Sequence, residues 1–215
     1  MSDHLKVISV AGCIGSGKSS ALNLLRRREG YFYGYNLIVE LEPVESWQSG
    51  EWLSDFYKDR MGKGFIFQTK VLMDQLLQFE RWVKWAKQNY DQFGTRTLVV
   101  CERCPVESRE VFVKHLPISE REKALFVEMT EKCGIWKPDF RIGLTVDKDE
   151  MLRRILGRNR CEEVVDSSAY YEELLITYSD LYDAGFAVPV SSSGPSEDVE
   201  GRIFEEVMKF VKDQS

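Results

Sequence analysis

Gly12, Cys13, Ile14, Gly15, Ser16, Gly17, Lys18 and Ser19 satisfy the pattern GxxxxGK[ST], and the chemistry such a run can do is phosphate binding. Glycines let backbone N–H groups turn inward around phosphate oxygens, and a helix opening near Gly17 adds positive potential. Lys18 is long enough to reach terminal phosphates, and the Ser19 hydroxyl can ligate Mg²⁺. Ser20, next in line, completes the stretch expected to touch the phosphates. The alternative is a glycine-rich turn that binds nothing. An apolar strand before the run and a helical pattern after it favour a nucleoside triphosphate site, with ATP and Mg²⁺ as the expected ligands.

Two further places carry groups that could act on that phosphate. Glu42, just before Pro43, ends an apolar run, where its carboxylate could take a proton from an acceptor hydroxyl. Glu102 and Arg103 end another, putting an acid for Mg²⁺ and a base for developing negative charge at the same sheet edge. Each also has a plain structural reading. A carboxylate before proline can simply end a strand, and an adjacent acid and base can be a surface ion pair.

The elements that must position these groups are readable from periodicity. Short β-rich runs at Lys6 to Val10, Leu37 to Leu41, Thr97 to Cys101, Ile142 to Val146 and Ala187 to Val190 alternate with longer helical patterns. That alternation predicts a parallel sheet with helices on both faces. Val71, Leu72, Leu76, Phe79, Val83 and Ala86 recur at helical spacing and predict a helix over about residues 66–90. Tyr170 to Tyr182 and Val199 to Val211 read as further amphipathic helices, and Ser191 to Ser196 as a polar loop. With 215 residues and no linker or internal repeat, the chain is expected to be one domain, 1–215.

Bulk composition removes several other functions. A net charge of −6 argues against a nucleic-acid binder, so any basic site has to be local. No apolar run is long enough to span a bilayer. The five cysteines form no secreted disulfide framework, which points to a reducing, cytoplasmic setting. Cys101 and Cys104 make a CxxC pair, but no second pair or nearby histidine completes a zinc site. With only His4 and His115 in the chain, histidine chemistry is poorly supported. No NKxD guanine-reading motif accompanies the phosphate loop.

Glu42, Pro43, Val44, Glu45, Ser46 and Trp47 resemble the EPVExW segment of the deoxyribonucleoside kinases. The resemblance extends through Tyr57, Lys58 and Asp59, then Phe67 and Gln68, Glu102 and Arg103 with Phe112, and finally Arg158, Arg160, Glu162 and Glu163, in the family's order. It implies a P-loop kinase fold of class α/β, with a five-stranded parallel sheet, helices on both faces and an arginine-rich lid at about residues 153–165. It also implies ATP-dependent phosphorylation of a deoxyribonucleoside 5′-hydroxyl. On it, Glu42 is the general base, Arg103 steadies the acceptor and the transferring group, and Glu102 holds Mg²⁺ with Ser19. Gln68 reads the base edge, while Trp47, Phe67 and Phe112 wall the base. Ile14 and Leu53 add apolar contacts. Tyr57 and Glu163 hold the sugar 3′-hydroxyl, and Arg154, Arg158 and Arg160 clamp phosphates.

The positions that match the family's base-selecting residues are Val71, Gln75 and Ser108, none of them charged. The resemblance therefore implies a preference for pyrimidine deoxynucleosides, thymidine and deoxycytidine. It also implies a homodimer. Cys13 stands where the family commonly has Asn, and Cys104 where it has Ser. A thymidylate-type monophosphate kinase is the nearest rival, but that family usually has Arg before the acid, and here Leu41 precedes Glu42. A non-catalytic nucleotide-binding protein is the other alternative, against which Glu42 and Arg103 argue.

Overall fold

The computed structural model describes residues 3–158 and 168–214. Its sheet contains β1 (Leu5–Gly12), β2 (Gly30–Phe32), β3 (Tyr35–Glu40), β4 (Arg96–Glu102), β5 (Phe140–Thr145) and β6 (Val188–Ser191). They lie in the order β2-β3-β4-β1-β5-β6. All five expected strands are present and run parallel to one another. Among the described residues the sheet nevertheless has six strands rather than five, because β2 adds an antiparallel edge to β3. Tyr33 and Gly34 join the two with φ values of 45° and 83°, the paired left-handed conformations of a tight hairpin turn. Three residues are too few to show an alternating pattern, so β2 could not be read from periodicity.

The helices are α1 (Lys18–Leu25), α2 (Val44–Ser49), α3 (Trp52–Lys58), α4 (Arg60–Phe93), α5 (Pro105–Glu107), α6 (Glu120–Lys132), α7 (Lys148–Gly157), α8 (Ser168–Asp183) and α9 (Ser196–Asp213). A wider turn, Ser108–Phe112, continues α5. Helix α4 starts earlier than the apolar stripe suggests. Asp59 caps it, its Oδ1 accepting the Gly62 N–H at 2.9 Å. Glycines in that first turn disguise the start, and Gly64 is small for a reason: a Cβ there would stand 3.1 Å from the Leu116 side chain.

Successive strand residues face opposite ways. Leu98 and Val100 join Ile8, Val10, Leu22, Ile203 and Val207 in a core under α1 and α9. Val99 and Cys101 instead join Leu5, Val7, Trp82, Ala86 and Trp136 under α4. Both faces of the central strands are therefore dry, as parallel sheets require. A third apolar cluster packs Phe56, Phe67, Val111, Phe112, Tyr170 and Leu174 above the ends of the strands. It forms the wall of the cleft described next. Among the described residues no helix is long and apolar enough to cross a membrane.

Candidate active site

The carboxyl ends of β1, β3 and β4 open onto one cleft of about 320 Å³. This is where open parallel sheets bind ligands, since the loops there diverge and leave a crevice. At its floor lies the loop of residues 12–19, the phosphate loop of the sequence reading. Gly12, Gly15 and Gly17 have φ values of 151°, 83° and 87°, which side chains other than glycine rarely adopt. The surroundings are also tight: a Cβ on Gly15 would meet the Met151 carbonyl at 2.8 Å, and one on Gly17 the Arg154 guanidinium at 3.2 Å. The backbone thus forms a cradle whose shape no side chain could share. Ser16 is fully buried in the loop.

Lys18 is buried and donates to the carbonyls of Gly12 and Cys13, each at 2.9 Å, with Ser16 Oγ at 3.4 Å. Burial, reinforced by the nearby Arg103 charge, lowers its pKa to about 8. Anionic phosphate oxygens would offset both effects. Ser19 Oγ donates to Glu102 Oε1 at 2.9 Å, which puts a hydroxyl and a carboxylate side by side at the mouth of the loop. Two oxygen donors next to a phosphate cradle suit Mg²⁺, which keeps several ligands as water or phosphate. Among the described residues no cluster of three or more His, Cys, Asp or Glu could hold a metal alone.

Above the loop, the largely buried Glu42 and Arg103 form an ion pair through Arg103 Nη1. Arg103 Nη2 also donates to the Gly12 carbonyl at 3.3 Å, so one guanidinium joins the carboxylate to the phosphate loop. Its backbone has a φ of 62°, unusual for a residue with a Cβ, and the guanidinium sits 4.9 Å from the centre of the Phe112 ring. Burial raises the Glu42 pKa to about 7, against the opposing pull of Arg103. A carboxylate held near neutrality is suited to taking up and releasing a proton.

The far end of the cleft is aromatic. Trp47 meets Phe67 edge to face with ring centres 5.6 Å apart, and Phe67 meets Phe56 at 4.8 Å. Ile14, Leu53, Tyr57, Val71 and Phe112 also line the cleft, with Gln68. Gln68 is buried, and its side-chain Oε1 has no hydrogen-bond partner among the described residues. Because an unmet buried acceptor is costly, this amide is a ready reader of a polar ligand edge. The Trp47 indole N–H is held by Asp74 Oδ2 at 2.8 Å, and Lys70 in turn holds Asp74 at 2.5 Å.

Most sequence-derived site residues therefore converge. Gln75 and Ser108 do not reach the cleft lining, although both are buried. The Gln75 carbonyl accepts the Trp136 indole N–H at 3.1 Å, tying that turn of α4 to the core. Arg153 turns to solvent and pairs with Glu150. Arg154 pairs with Glu150 at 2.7 Å and donates to the Ser192 carbonyl at 2.8 Å, yet its guanidinium still lies over Gly17. Arg158 lines the cleft. Arg160, Glu162 and Glu163, with most of the expected lid, lie outside the described residues. The sequence reading gave no site role to Val44, Phe56 and Tyr170, which also line the cleft; Val44 lies inside the EPVExW segment, while Phe56 and Tyr170 carry no signal beyond ordinary core composition. Cys101 and Cys104 are buried, and burial drives both thiols well up the scale, so their thiolate chemistry is suppressed.

Comparison with known proteins agrees with this fold. The model of the deoxynucleoside kinase family matches residues 8–213. Protein 029R of Invertebrate iridescent virus 3 is 32% identical over 158 residues, covering 72% of this chain and 70% of that protein. The deoxyadenosine/deoxycytidine kinase of Bacillus subtilis is 27% identical over 192 residues, covering 86% of this chain and 80% of that enzyme. Among solved structures, the deoxyadenosine kinase of M. mycoides with dCMP and dCDP superimposes with a TM-score of 0.74 at 21% identity, over 94% of this chain and 99% of that one.

Proposed function

Since the chain belongs to the deoxynucleoside kinase family and so is a kinase of deoxynucleosides, we propose that it transfers the γ-phosphoryl group of ATP to the 5′-hydroxyl of a pyrimidine deoxynucleoside, with Glu42 as general base. The observation that carries the residue roles is the bridge made by Arg103, bonded at once to Glu42 and to the Gly12 carbonyl of the phosphate loop. A sugar hydroxyl admitted between them would face a proton acceptor on one side and the bound phosphate on the other.

In this reading the nucleoside base lies between Trp47, Phe67 and Phe112 and pairs with the Gln68 amide. Tyr57, with Glu163, receives the sugar. Glu42 takes the 5′-hydroxyl proton as that oxygen attacks the γ-phosphorus in line, and ADP departs. Lys18 and Arg103, with Arg154, Arg158 and Arg160, neutralise the charge that spreads over the phosphoryl oxygens. Ser19 and Glu102 would hold Mg²⁺, which supplies further charge neutralisation to the phosphates when bound.

Support for a pyrimidine comes from the base end of the cleft. Its charged lining residues, Lys18, Glu42, Glu102, Arg103 and Arg158, belong to the phosphate end or its rim, while Gln68 and Val71 are neutral. The Bacillus subtilis relative is named for both deoxyadenosine and deoxycytidine, so the test must separate the bases. With radiolabelled ATP and the four deoxynucleosides, we expect thymidine and deoxycytidine to give kcat/KM at least about tenfold above deoxyadenosine and deoxyguanosine, the scale of one or two lost pocket contacts. Deoxyadenosine as the best substrate would overturn the preference. Thymidine monophosphate should be inert, because Leu41 provides no cation for an acceptor phosphate.

The expected dimer has a candidate surface. Ile66, Met73 and Leu77 recur on one face of α4 and are about half exposed, at 49%, 49% and 57%. A second copy packed there would bury them. Leu77→Glu is expected to shift the mass measured by light scattering from two chains to one, and an unchanged mass would rule this face out.

A further inference from the structure

Glu107, at the end of α5, is completely buried beneath the cleft. Its Oε2 accepts the Cys104 N–H at 3.0 Å, closing the first turn of the helix. Capping needs only that one oxygen. The other, Oε1, accepts the Tyr178 hydroxyl at 2.7 Å and lies 3.9 Å from Arg103 Nε. Among the described residues this Nε has no hydrogen-bond partner, although it is buried. The guanidinium thus has Glu42 on one edge, the Gly12 carbonyl on another and the Glu107 carboxylate on the third. A buried carboxylate is expensive, and among the described residues its second oxygen faces the arginine and a tyrosine from α8.

We infer that Glu107, steered by Tyr178, is a positioning residue that holds the Nε edge of Arg103 so that its two terminal nitrogens point at Glu42 and at the phosphate loop. Without that third contact a guanidinium can swing to form a two-pronged pair with the nearest carboxylate, the geometry arginine prefers. Here that carboxylate is Glu42, so the swing would take Nη2 from the phosphate side and lock the base in an ion pair. Burial raises the Glu107 pKa, while Arg103, Tyr178, Lys18 and the Cys104 N–H pull it back. The Tyr178 hydroxyl titrates far above its ordinary range because it is buried beside Glu107, which keeps it a proton donor. Cys101, Cys104, Tyr182 and Glu42 also feel the Glu107 charge.

This inference rests on the proposed role of Arg103, and the test separates the two. Steady-state kinetics with the best nucleoside are compared for Glu107→Gln, Tyr178→Phe, Arg103→Lys and the Glu107→Gln/Arg103→Lys double variant. Glu107→Gln is expected to lower kcat about tenfold, the scale of one contact to a charged group, with the nucleoside KM within about twofold. Tyr178→Phe should do the same more weakly, and it carries the test if Glu107→Gln fails to fold. Arg103→Lys has no Nε–H for Glu107 to hold, so adding Glu107→Gln to it should change kcat by less than about twofold. Multiplicative losses in the double variant, or a change confined to KM, would overturn the positioning role. An unimpaired Arg103→Lys would overturn the role of Arg103 itself, and this inference with it.

Discussion

Glu42→Gln is expected to lower kcat by about 10²- to 10⁴-fold while leaving the nucleoside KM nearly unchanged, because a positioned base acts only as the proton moves in the transition state. Gln has the same shape and can still accept the Arg103 hydrogen bond, so the loss isolates proton transfer from packing. The same carboxylate sets a pH limb. Burial puts its pKa at about 7, and the base works only when ionised, so kcat/KM of the parent enzyme should fall tenfold per unit as pH drops below that value. Stability moves the other way. A carboxylate whose folded pKa is raised binds its proton more tightly when folded, so it favours folding less as pH climbs from about 4.5 to 7. At pH 8 the Gln variant should therefore melt no lower than the parent in a thermal scan. An active variant would end the case for Glu42 as base, and an inactive one that is also unfolded would be explained by packing alone.

Lys18→Met is expected to cost about 10²- to 10³-fold in kcat, the scale for removing one preorganised charge-stabilising donor. The lysine reaches over its own loop to the Gly12 and Cys13 carbonyls, so it is poised at the floor of the cradle instead of sampling solvent. Met retains most of its length and burial but leaves those two carbonyls without their donor, at a cost of about 1–3 kcal/mol. Calorimetric titration with ATP should show weakened binding in the variant, and equal affinity and turnover would exclude the lysine from the phosphate site. Because burial and Arg103 bring the Lys18 pKa down to about 8, kcat/KM for ATP should decline above that pH. With the Glu42 limb, this gives a bell-shaped profile that falls on the acid side through Glu42 and on the basic side through Lys18.

Much of this site was legible before any coordinates. A phosphate cradle needs contiguous backbone, so the proposed one, Gly12 to Ser19, is one uninterrupted run, and the glycine spacing is itself the geometry. The central strands were legible because both faces of a central parallel strand are buried, which makes β1 and β4 largely apolar runs, while β5 reads as an alternating one, FRIGLT. Legibility failed where structure depends on a partner. Strand β2 exists because β3 offers it an edge. Phe56 and Tyr170 look like any core aromatics until α3 and α8 meet across the cleft. Gln75 looked like a base-selecting residue by position alone, yet its turn of α4 is tied to Trp136 and its side chain does not line the cleft.

By itself, then, the order of amino acids determined the phosphate cradle, the alternation of strand and helix, and the kinase family, because each is written in local patterns of glycine, charge and apolar spacing. Only the tertiary structure decided that Arg103 spans Glu42 and the phosphate loop while facing Glu107, and that Gln68 is left with an unmet acceptor. The bonded groups lie up to 91 residues apart along the chain, and their distances and shared burial arise only when the parallel strands bring their ends to one edge.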